Sequence, residues 1–384
     1  MFTESQERAY NELLKFVDNN EKEIIVTGSP GYGKSYLIEE FSRTNDVVVT
    51  ATTNKSAGVI NGITIHSLLG LKLEDNYENG STKIDYSGAR TVRNLIIVID
   101  ECSMINSELY KALFDYTVNC KFIYVGDYYQ LPPVNDKFSI FKRNIKMLEL
   151  TEPCRTNKED ILNLCSQLKQ AIRNNTRFKD YKMSENIIFL NHRDYLKRLE
   201  TFVPTNDKIL SHTNDQVLSL NREVRRVFGK SELISSGDFI VCKSVVVTYE
   251  PTKIEQIKQV KDVLNTNYDG TTRITTFDGG RYNVYLDQIS YKKTLKDLAS
   301  KCLESTYTGY KKWKPYFDFK NSVLDIRDIY ASTVYSAQGS TYNNVFIDIQ
   351  DIYKYSDSSN LMRLMYVAVS RAKEKVYIFK SEWC

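Results

Sequence analysis

Cysteine and histidine are scarce and poorly placed for metal or disulfide chemistry. The seven cysteines (102, 120, 154, 165, 242, 302 and 384) include no C-x-x-C pair. That leaves no disulfide framework and no zinc spacing, and the expectation is of reduced thiols in a cytosolic chain. The three histidines (66, 192 and 212) suggest no ligand pair. No apolar run approaches the roughly 20 residues that span a bilayer, and the first ten residues are polar and acidic, unlike a secretory leader. Glycine (16) and proline (7) are few against 27 tyrosines, a trait of composition rather than of function. Excess charge is also missing, with 52 basic and 48 acidic residues giving +4. This excludes a histone-like polycation but not a binder of nucleic acid with a local basic face.

What is present is ordinary for a globular chain, 42% hydrophobic and 26% charged. Its 384 residues suggest two or three domains. Strands are expected at Glu23–Thr27, Asp46–Ala51, Asn94–Ile99, Lys121–Val125 and Lys146–Leu150. Each is apolar almost throughout, as parallel strands buried on both faces are. Helical stretches such as Ser35–Arg43 and Ser107–Tyr116 alternate with them, which is a doubly wound α/β pattern. Residues 70–92 interrupt it and read as a small hairpin insert. A second unit follows, with an amphipathic helix over Glu159–Arg173, strands at Ile187–Leu190 and Lys208–His212, and a helix over Asn214–Val227. Residues 232 to about 325 read as an inserted β subdomain, with strands at Asp238–Thr248, Arg273–Phe277 and Arg281–Leu286. Parallel-type strands return at Tyr330–Val334, Val345–Ile349 and Lys375–Phe379.

Gly28-Ser29-Pro30-Gly31-Tyr32-Gly33-Lys34-Ser35 fits G-x-x-x-x-G-K-[ST] between a strand and a helix, the context this phosphate-binding loop requires. Its backbone N–H groups would face phosphate oxygens at a helix N-terminus. Lys34 would reach the β- and γ-phosphates and Ser35 would ligate Mg²⁺. The strand ending at Ile99 delivers Asp100 and Glu101 to the edge where open α/β sheets bind ligands. Asp100 suits the Mg²⁺ shell, and Glu101 the attacking water. Together these imply nucleotide hydrolysis without saying what it drives.

Further stretches carry a resemblance. Gly126-Asp-Tyr-Tyr-Gln130-Leu-Pro-Pro133 resembles motif III of superfamily 1 helicases. In order along the chain, Thr3-Glu-Ser-Gln6 resembles the Q motif, Thr50–Ala57 motif Ia, Thr64–Leu69 motif Ib and Asp100–Met104 motif II. Leu150–Arg155 is similar to motif IV, Ala331–Ser340 to motif V and Tyr366–Lys373 to motif VI. Lys208–Asn214 matches a segment of the RecD/Dda branch, superfamily 1B. The resemblance spans residues 1 to 380. It implies two RecA-like domains in tandem: 1–150 with a wedge hairpin at 70–92, and 151–384 with an SH3-like β insert at about 232–325.

It also implies an ATP-dependent helicase moving 5′→3′ on single-stranded DNA and opening forked duplex. Its alternative is a strand-stimulated translocase that displaces proteins. An ATP-dependent nuclease and a nucleotide-gated binding module fit less well, since no nuclease carboxylate cluster follows and the hydrolysis residues are intact. A monomer in the cytoplasm of a phage-infected bacterium, off any membrane, is the implied setting. A single-strand-binding protein or other replication factors are the implied partners.

Residue by residue, Gln6 corresponds to the adenine-reading glutamine, or else is a polar residue of an N-terminal helix. Gln130 would sense the γ-phosphate, Gly339 would lie at the nucleotide, and Arg155 and Arg371 would stabilise charge on the transferred phosphoryl from the second domain. Thr52, Thr53, Asn54, Lys55, Thr64 and His66 correspond to strand contacts of the first domain, and Thr213, Asn214, Thr333 and Gln338 to those of the second. Short polar side chains position a phosphate backbone without reading bases. Tyr335-Ser336 replaces the usual His-Lys of motif V, which removes a phosphate contact or shifts it to the Tyr335 ring. Between 292 and 320, eight lysines interleave with Tyr307, Tyr310, Trp313, Tyr316 and Phe317. That segment is either a nucleic-acid surface with stacking rings or a solvated face over a small aromatic core.

Overall fold

The computed structural model describes residues 2–381 except 61, 77–80, 134, 135, 137, 155, 156, 179, 180, 247–251, 268, 269, 308, 356 and 357. The chain starts with helix α1 (Glu4–Asp18). Thr3 caps it, accepting from the Gln6 N–H while the Gln6 side chain accepts from the Thr3 N–H, a reciprocal capping box. Ala9, Leu13 and Phe16 form its buried face.

The first α/β region runs through β1 (Glu23–Gly28), α2 (Lys34–Thr44), β2 (Val47–Ala51), α3 (Asn54–Val59), β3 (Ile63–Thr64) and α4 (Ile65–Leu69). After the antiparallel hairpin β4 (Lys72–Asn76) and β5 (Ser81–Asp85) come β6 (Val92–Arg93), β7 (Ile96–Asp100), α5 (Ser107–Asp115), β8 (Thr117–Val118), β9 (Lys121–Gly126) and β10 (Lys146–Leu150). Six strands form one parallel sheet in the order β10-β1-β9-β7-β2-β3. The central residues of β1, β7 and β9 are buried, which explains their unbroken apolar runs. Because the strands are parallel, the loops after β1, β2, β7 and β9 share the carboxyl edge, where such sheets bind ligands.

The second region holds α6 (Glu159–Arg173), β11 (Ile187–Leu190), α7 (His192–Leu199), β12 (Asp207–Ser211) and α8 (Asn214–Val227). The chain then builds an antiparallel sheet from β13 (Phe239–Cys242), β14 (Ile257–Thr266), β15 (Thr272–Thr276) and β16 (Arg281–Val284). Helices α9 (Gln288–Glu304) and α10 (Gly309–Ser322) follow, and β17 (Ile326–Asp328) closes that sheet against β13. Strands β18 (Ala331–Thr333), β19 (Tyr342–Asp348) and β20 (Ala372–Phe379), with helices α11 (Ile349–Tyr355) and α12 (Ser358–Val369), return to the second α/β region. Its sheet order is β11-β20-β19-β12-β18. Helix α12 is buried nearly all round, from Leu361 to Val369, among residues of both α/β regions, including Tyr129 and Leu131.

By contacts the chain forms two compact units. One comprises Met1–Leu71, Tyr86–Gln216 and Ser332–Cys384; the other comprises Lys72–Asp85 and Val217–Ala331. The first unit therefore contains both parallel sheets. Helices α9 and α10 were not anticipated, because dense lysines obscure their apolar spacing. Tyr291, Leu295, Ala299 and Cys302 recur at helical intervals, as do Trp313 and Phe317.

Within the second unit Arg225 on α8 is 1% exposed. Its guanidinium donates to Asp328 (2.7 Å), Asp238 (2.8 Å) and the carbonyls of Ser231 and Leu233 (both 2.6 Å), and Lys230 donates to Asp238 (2.6 Å). Removing one member of a buried pair strands the other in a dry site. Arg225→Ala is expected to destabilise this unit by about 3–5 kcal/mol. Denaturant unfolding should show it, and a loss under 1 kcal/mol would contradict a tightly coupled cluster.

Candidate nucleotide cleft and strand-facing loops

The β1–α2 turn bends through Gly31 (φ 84°) and Gly33 (φ 75°), both in the left-handed region that favours glycine. A Cβ at Gly33 would collide with the Gln6 amide. Lys34 folds over the loop and donates to the carbonyls of Gly28 (2.6 Å) and Ser29 (3.1 Å). Burial pulls its ammonium below the ordinary lysine value, while Asp127, Glu101 and Asp100 oppose the shift. Ser35 is exposed at the start of α2.

β7 ends at Asp100, and Glu101 follows with φ 52°, a strained backbone for a non-glycine residue. The Asp100 carboxylate accepts from the Glu101 N–H at 2.8 Å. Burial raises both carboxyls. Glu101 is pushed up to about 6, with Asp100 adding to the rise and Arg371 and Lys34 opposing it.

These groups line a cleft of about 480 Å³ together with Pro30, Gly31, Gly33, Gln130, Gly339 and Arg371. Arg371 is 2% exposed and is oriented by the carbonyls of Val367 and Ser340 (both 3.2 Å) and the Ser370 hydroxyl (3.1 Å). Gly339 adopts φ 75°, and a Cβ there would lie 3.7 Å from Glu101 Oε1. The Gln338 amide donates to Gln130 Oε1 at 3.3 Å, joining the two parallel-sheet regions at the cleft. Tyr36, Ser56, Cys154 and Lys373 also line it and were not anticipated.

Gly28, Ser29, Tyr32 and Gln6 are not among the lining residues. Gln6 is 2% exposed, and its Nε2 donates to the Tyr32 carbonyl at 3.2 Å while its Oε1 caps α1. The Tyr32 ring instead meets Lys169 of α6, whose ammonium lies 5.3 Å from it, 5.4 Å from Tyr129 and 6.0 Å from Tyr366. Such a cation over several rings ties the phosphate loop to the second region. Arg155 lies outside the described residues.

The strand candidates fall at helix and turn starts. Thr53 caps α3 by accepting from Ser56 N–H (3.2 Å), and Thr64 caps α4 by accepting from Ser67 N–H (3.1 Å). Thr213 accepts from Gln216 N–H at the start of α8, and Thr333 from Ser336 N–H (both 3.2 Å). These hydroxyls are engaged within the chain itself. The Thr52 hydroxyl donates to the Glu101 carbonyl at 3.1 Å, placing motif Ia directly on the acidic pair. His66 is half-buried, and desolvation lowers its imidazole below the ordinary value. Asn214 is exposed. The side chains of Asn54 and Lys55 lie outside the described residues.

Two anchors were missed from the sequence. Asp351, fully buried, accepts from Ser211 Oγ (2.5 Å), His212 N–H and Thr213 N–H (both 2.8 Å) and Thr213 Oγ1 (3.0 Å), and so shapes the loop before α8. Arg363 of α12 donates to the carbonyls of Tyr128 (2.5 Å) and Gln130 (2.8 Å), and Tyr366 donates to Asp127 (2.6 Å). A lone cation inside the apolar run Leu361–Met365 was the available signal for Arg363.

Fold and cleft together define a P-loop NTPase with two RecA-like regions in tandem. Comparison with known proteins agrees. Residues 12–136 match the family described as AAA domain, and residues 328–379 match the UvrD-like helicase C-terminal domain. The ATP-dependent DNA helicase dda of Enterobacteria phage T4 is 23% identical over 98% of both chains. The ATP-dependent DNA helicase Pif1 of Campylobacter jejuni is 24% identical over 91% of this chain and 86% of its own. Among solved structures, Bacteroides Pif1 helicase with ADP-AlF3 and ssDNA superposes with TM-score 0.60, at 14% identity, over 100% of this chain and 93% of that one. Pif1 helicase from Candida albicans gives 0.56, at 17% identity, over 100% and 95%. Nearly the whole chain is thus similar to the Dda- and Pif1-type helicases. No helix among the described residues is long and apolar enough to cross a membrane.

Proposed function

We propose that this chain is an ATP-dependent DNA helicase that moves 5′→3′ along single-stranded DNA and opens duplex at a fork. The observation that carries the reading is the joint composition of the cleft. One sheet supplies Lys34, Ser35, Asp100 and Glu101, and the other region supplies Gly339 and Arg371. Glu101 accepts a proton from the attacking water, its carboxyl raised by burial and by Asp100 above the ordinary carboxylate value, which makes it a better base. Arg371, with Arg155 by resemblance, stabilises charge on the transferred phosphoryl. Lys34 holds the β- and γ-phosphates, releasing the loop carbonyls it now contacts.

The donor set fits Mg²⁺, which takes few protein oxygens and keeps waters and phosphates as its other ligands. The Ser35 hydroxyl and the Asp100 carboxylate line one wall and would hold it. Bound there, the ion would neutralise phosphate charge.

Coupling to the strand runs through two contacts. Thr52 bonds the Glu101 backbone, and Gln338 bonds Gln130 across the cleft. A shift of either strand-facing loop therefore moves a hydrolytic group, and cleft closure links chemistry to motion. Each base-pair step opened costs about 1.4 kcal/mol of stacking, a modest task for one cycle. The hairpin Lys72–Asp85 is the proposed wedge; its residues 77–80 lie outside the described residues.

The test is a fork assay with 5′-tailed and 3′-tailed duplexes, with and without ATP. ATP-dependent opening of the 5′-tailed fork alone is expected. Opening of only the 3′-tailed fork would overturn the polarity. Strand-stimulated hydrolysis without unwinding would favour a protein-displacing translocase.

A further inference from the structure

Residues 288–322 carry eight lysines and three acidic residues, a net +5 in a chain whose total is +4. The remaining residues therefore sum to −1, so the chain's whole positive excess resides on α9 and α10. Of the rings that interleave with these lysines, Tyr291, Trp313 and Phe317 are buried. Trp313 and Phe317 pack with Cys302, and Tyr291 packs with Tyr285 and Val323, each 4% exposed or less apart from Tyr285 at 7%. Lys293, Lys296, Lys301 and Lys311 are exposed. Lys293 and Lys296 are one helical turn apart and share a face.

This arrangement discriminates between ligands. A groove for single strands needs rings on which bases stack, and here Tyr291, Trp313 and Phe317 lie in a core; among the described side chains of the segment, Tyr307, in the link between the helices, is the exposed ring. What remains outward is a rigid, basic, sequence-indifferent face, suited to the regularly spaced phosphates of a duplex.

We propose that the α9–α10 pair is a docking surface for the phosphate backbone of duplex DNA, used in addition to the single-strand loops. The proposal rests on the reading of this chain as a DNA motor. It predicts a salt-dependent affinity for duplex that single-strand contacts do not supply.

The experiment compares the full chain with the quadruple variant Lys293→Gln/Lys296→Gln/Lys301→Gln/Lys311→Gln. A second variant makes an equal charge change on exposed residues of the same unit, Lys253→Gln/Lys261→Gln/Arg273→Gln/Arg281→Gln. Binding of a short blunt duplex is measured without nucleotide over a range of salt, and hydrolysis is measured with saturating oligo-dT. The helical variant should lose about tenfold or more in duplex affinity at low salt. Its log K against log salt slope should become shallower by about one for each lysine that touched a phosphate.

Oligo-dT-stimulated hydrolysis should stay within about twofold, and the second variant should bind duplex nearly as the parent does. Unchanged duplex affinity and slope in the helical variant, or an equal loss in both variants, would overturn the proposal. Absence of oligo-dT-stimulated hydrolysis in the parent would instead sink the motor reading, so the two failures are separable.

Discussion

Replacing Arg371 with lysine is expected to lower strand-stimulated ATP turnover by about 10³–10⁵-fold, the range an arginine finger contributes. The substitution keeps the charge and removes the planar fork. Arg371 spends three N–H contacts on Val367, Ser340 and Ser370 and, at 2% exposure, cannot relax into solvent. That anchoring is what aims the remaining donors into the cleft. A lysine ammonium is a compact point charge and cannot hold those oxygens and reach a phosphoryl group together. Its loss also leaves buried carbonyls short of donors, at about 1–3 kcal/mol each. Thermal unfolding must therefore accompany the kinetics. A folded Arg371→Lys protein with more than a tenth of parental kcat would remove Arg371 from the proposed role.

Glu101→Gln should reduce kcat by about 10²–10⁴-fold, the usual worth of a positioned general base. The KM for ATP should stay within a few-fold. Glutamine preserves size and the strained φ of 52°, so the change isolates the loss of a proton acceptor. Arg371 and Lys34 both hold the Glu101 carboxyl down against burial and Asp100. The two substitutions therefore share a network, and the double variant should lose less than the product of the single losses. Multiplicative losses would mean that the groups act independently.

Much of this was legible in the chain. The apolar runs of β1, β7 and β9 announced buried parallel strands, because a strand covered on both faces has no polar side to show. The phosphate loop was legible because glycine at positive φ followed by Lys-Ser has few other uses. Other site residues gained local partners that spacing did not show. The hydroxyls of Thr53, Thr64, Thr213 and Thr333 each cap their own helix or turn. Gln6 was read toward adenine, and its amide binds Thr3 and Tyr32. In the basic-aromatic segment, Trp313 and Phe317 pack into a small core with Cys302. Side-chain direction sets these local partners, and composition carries no direction.

The amino-acid sequence by itself determined the reaction class, since phosphate binding and an acidic pair are local chemistry written in contiguous residues. It also determined the two-region α/β plan, because strand burial shows directly in residue type. Only tertiary structure decided which groups meet. It set Arg371 and Gly339 against Glu101, placed Lys169 among tyrosines from three separate segments, and buried Asp351 beneath the Ser211–Thr213 loop. Most of those contacts join residues more than a hundred positions apart, and their energies depend on distance and desolvation in the folded chain, which no spacing along the sequence encodes.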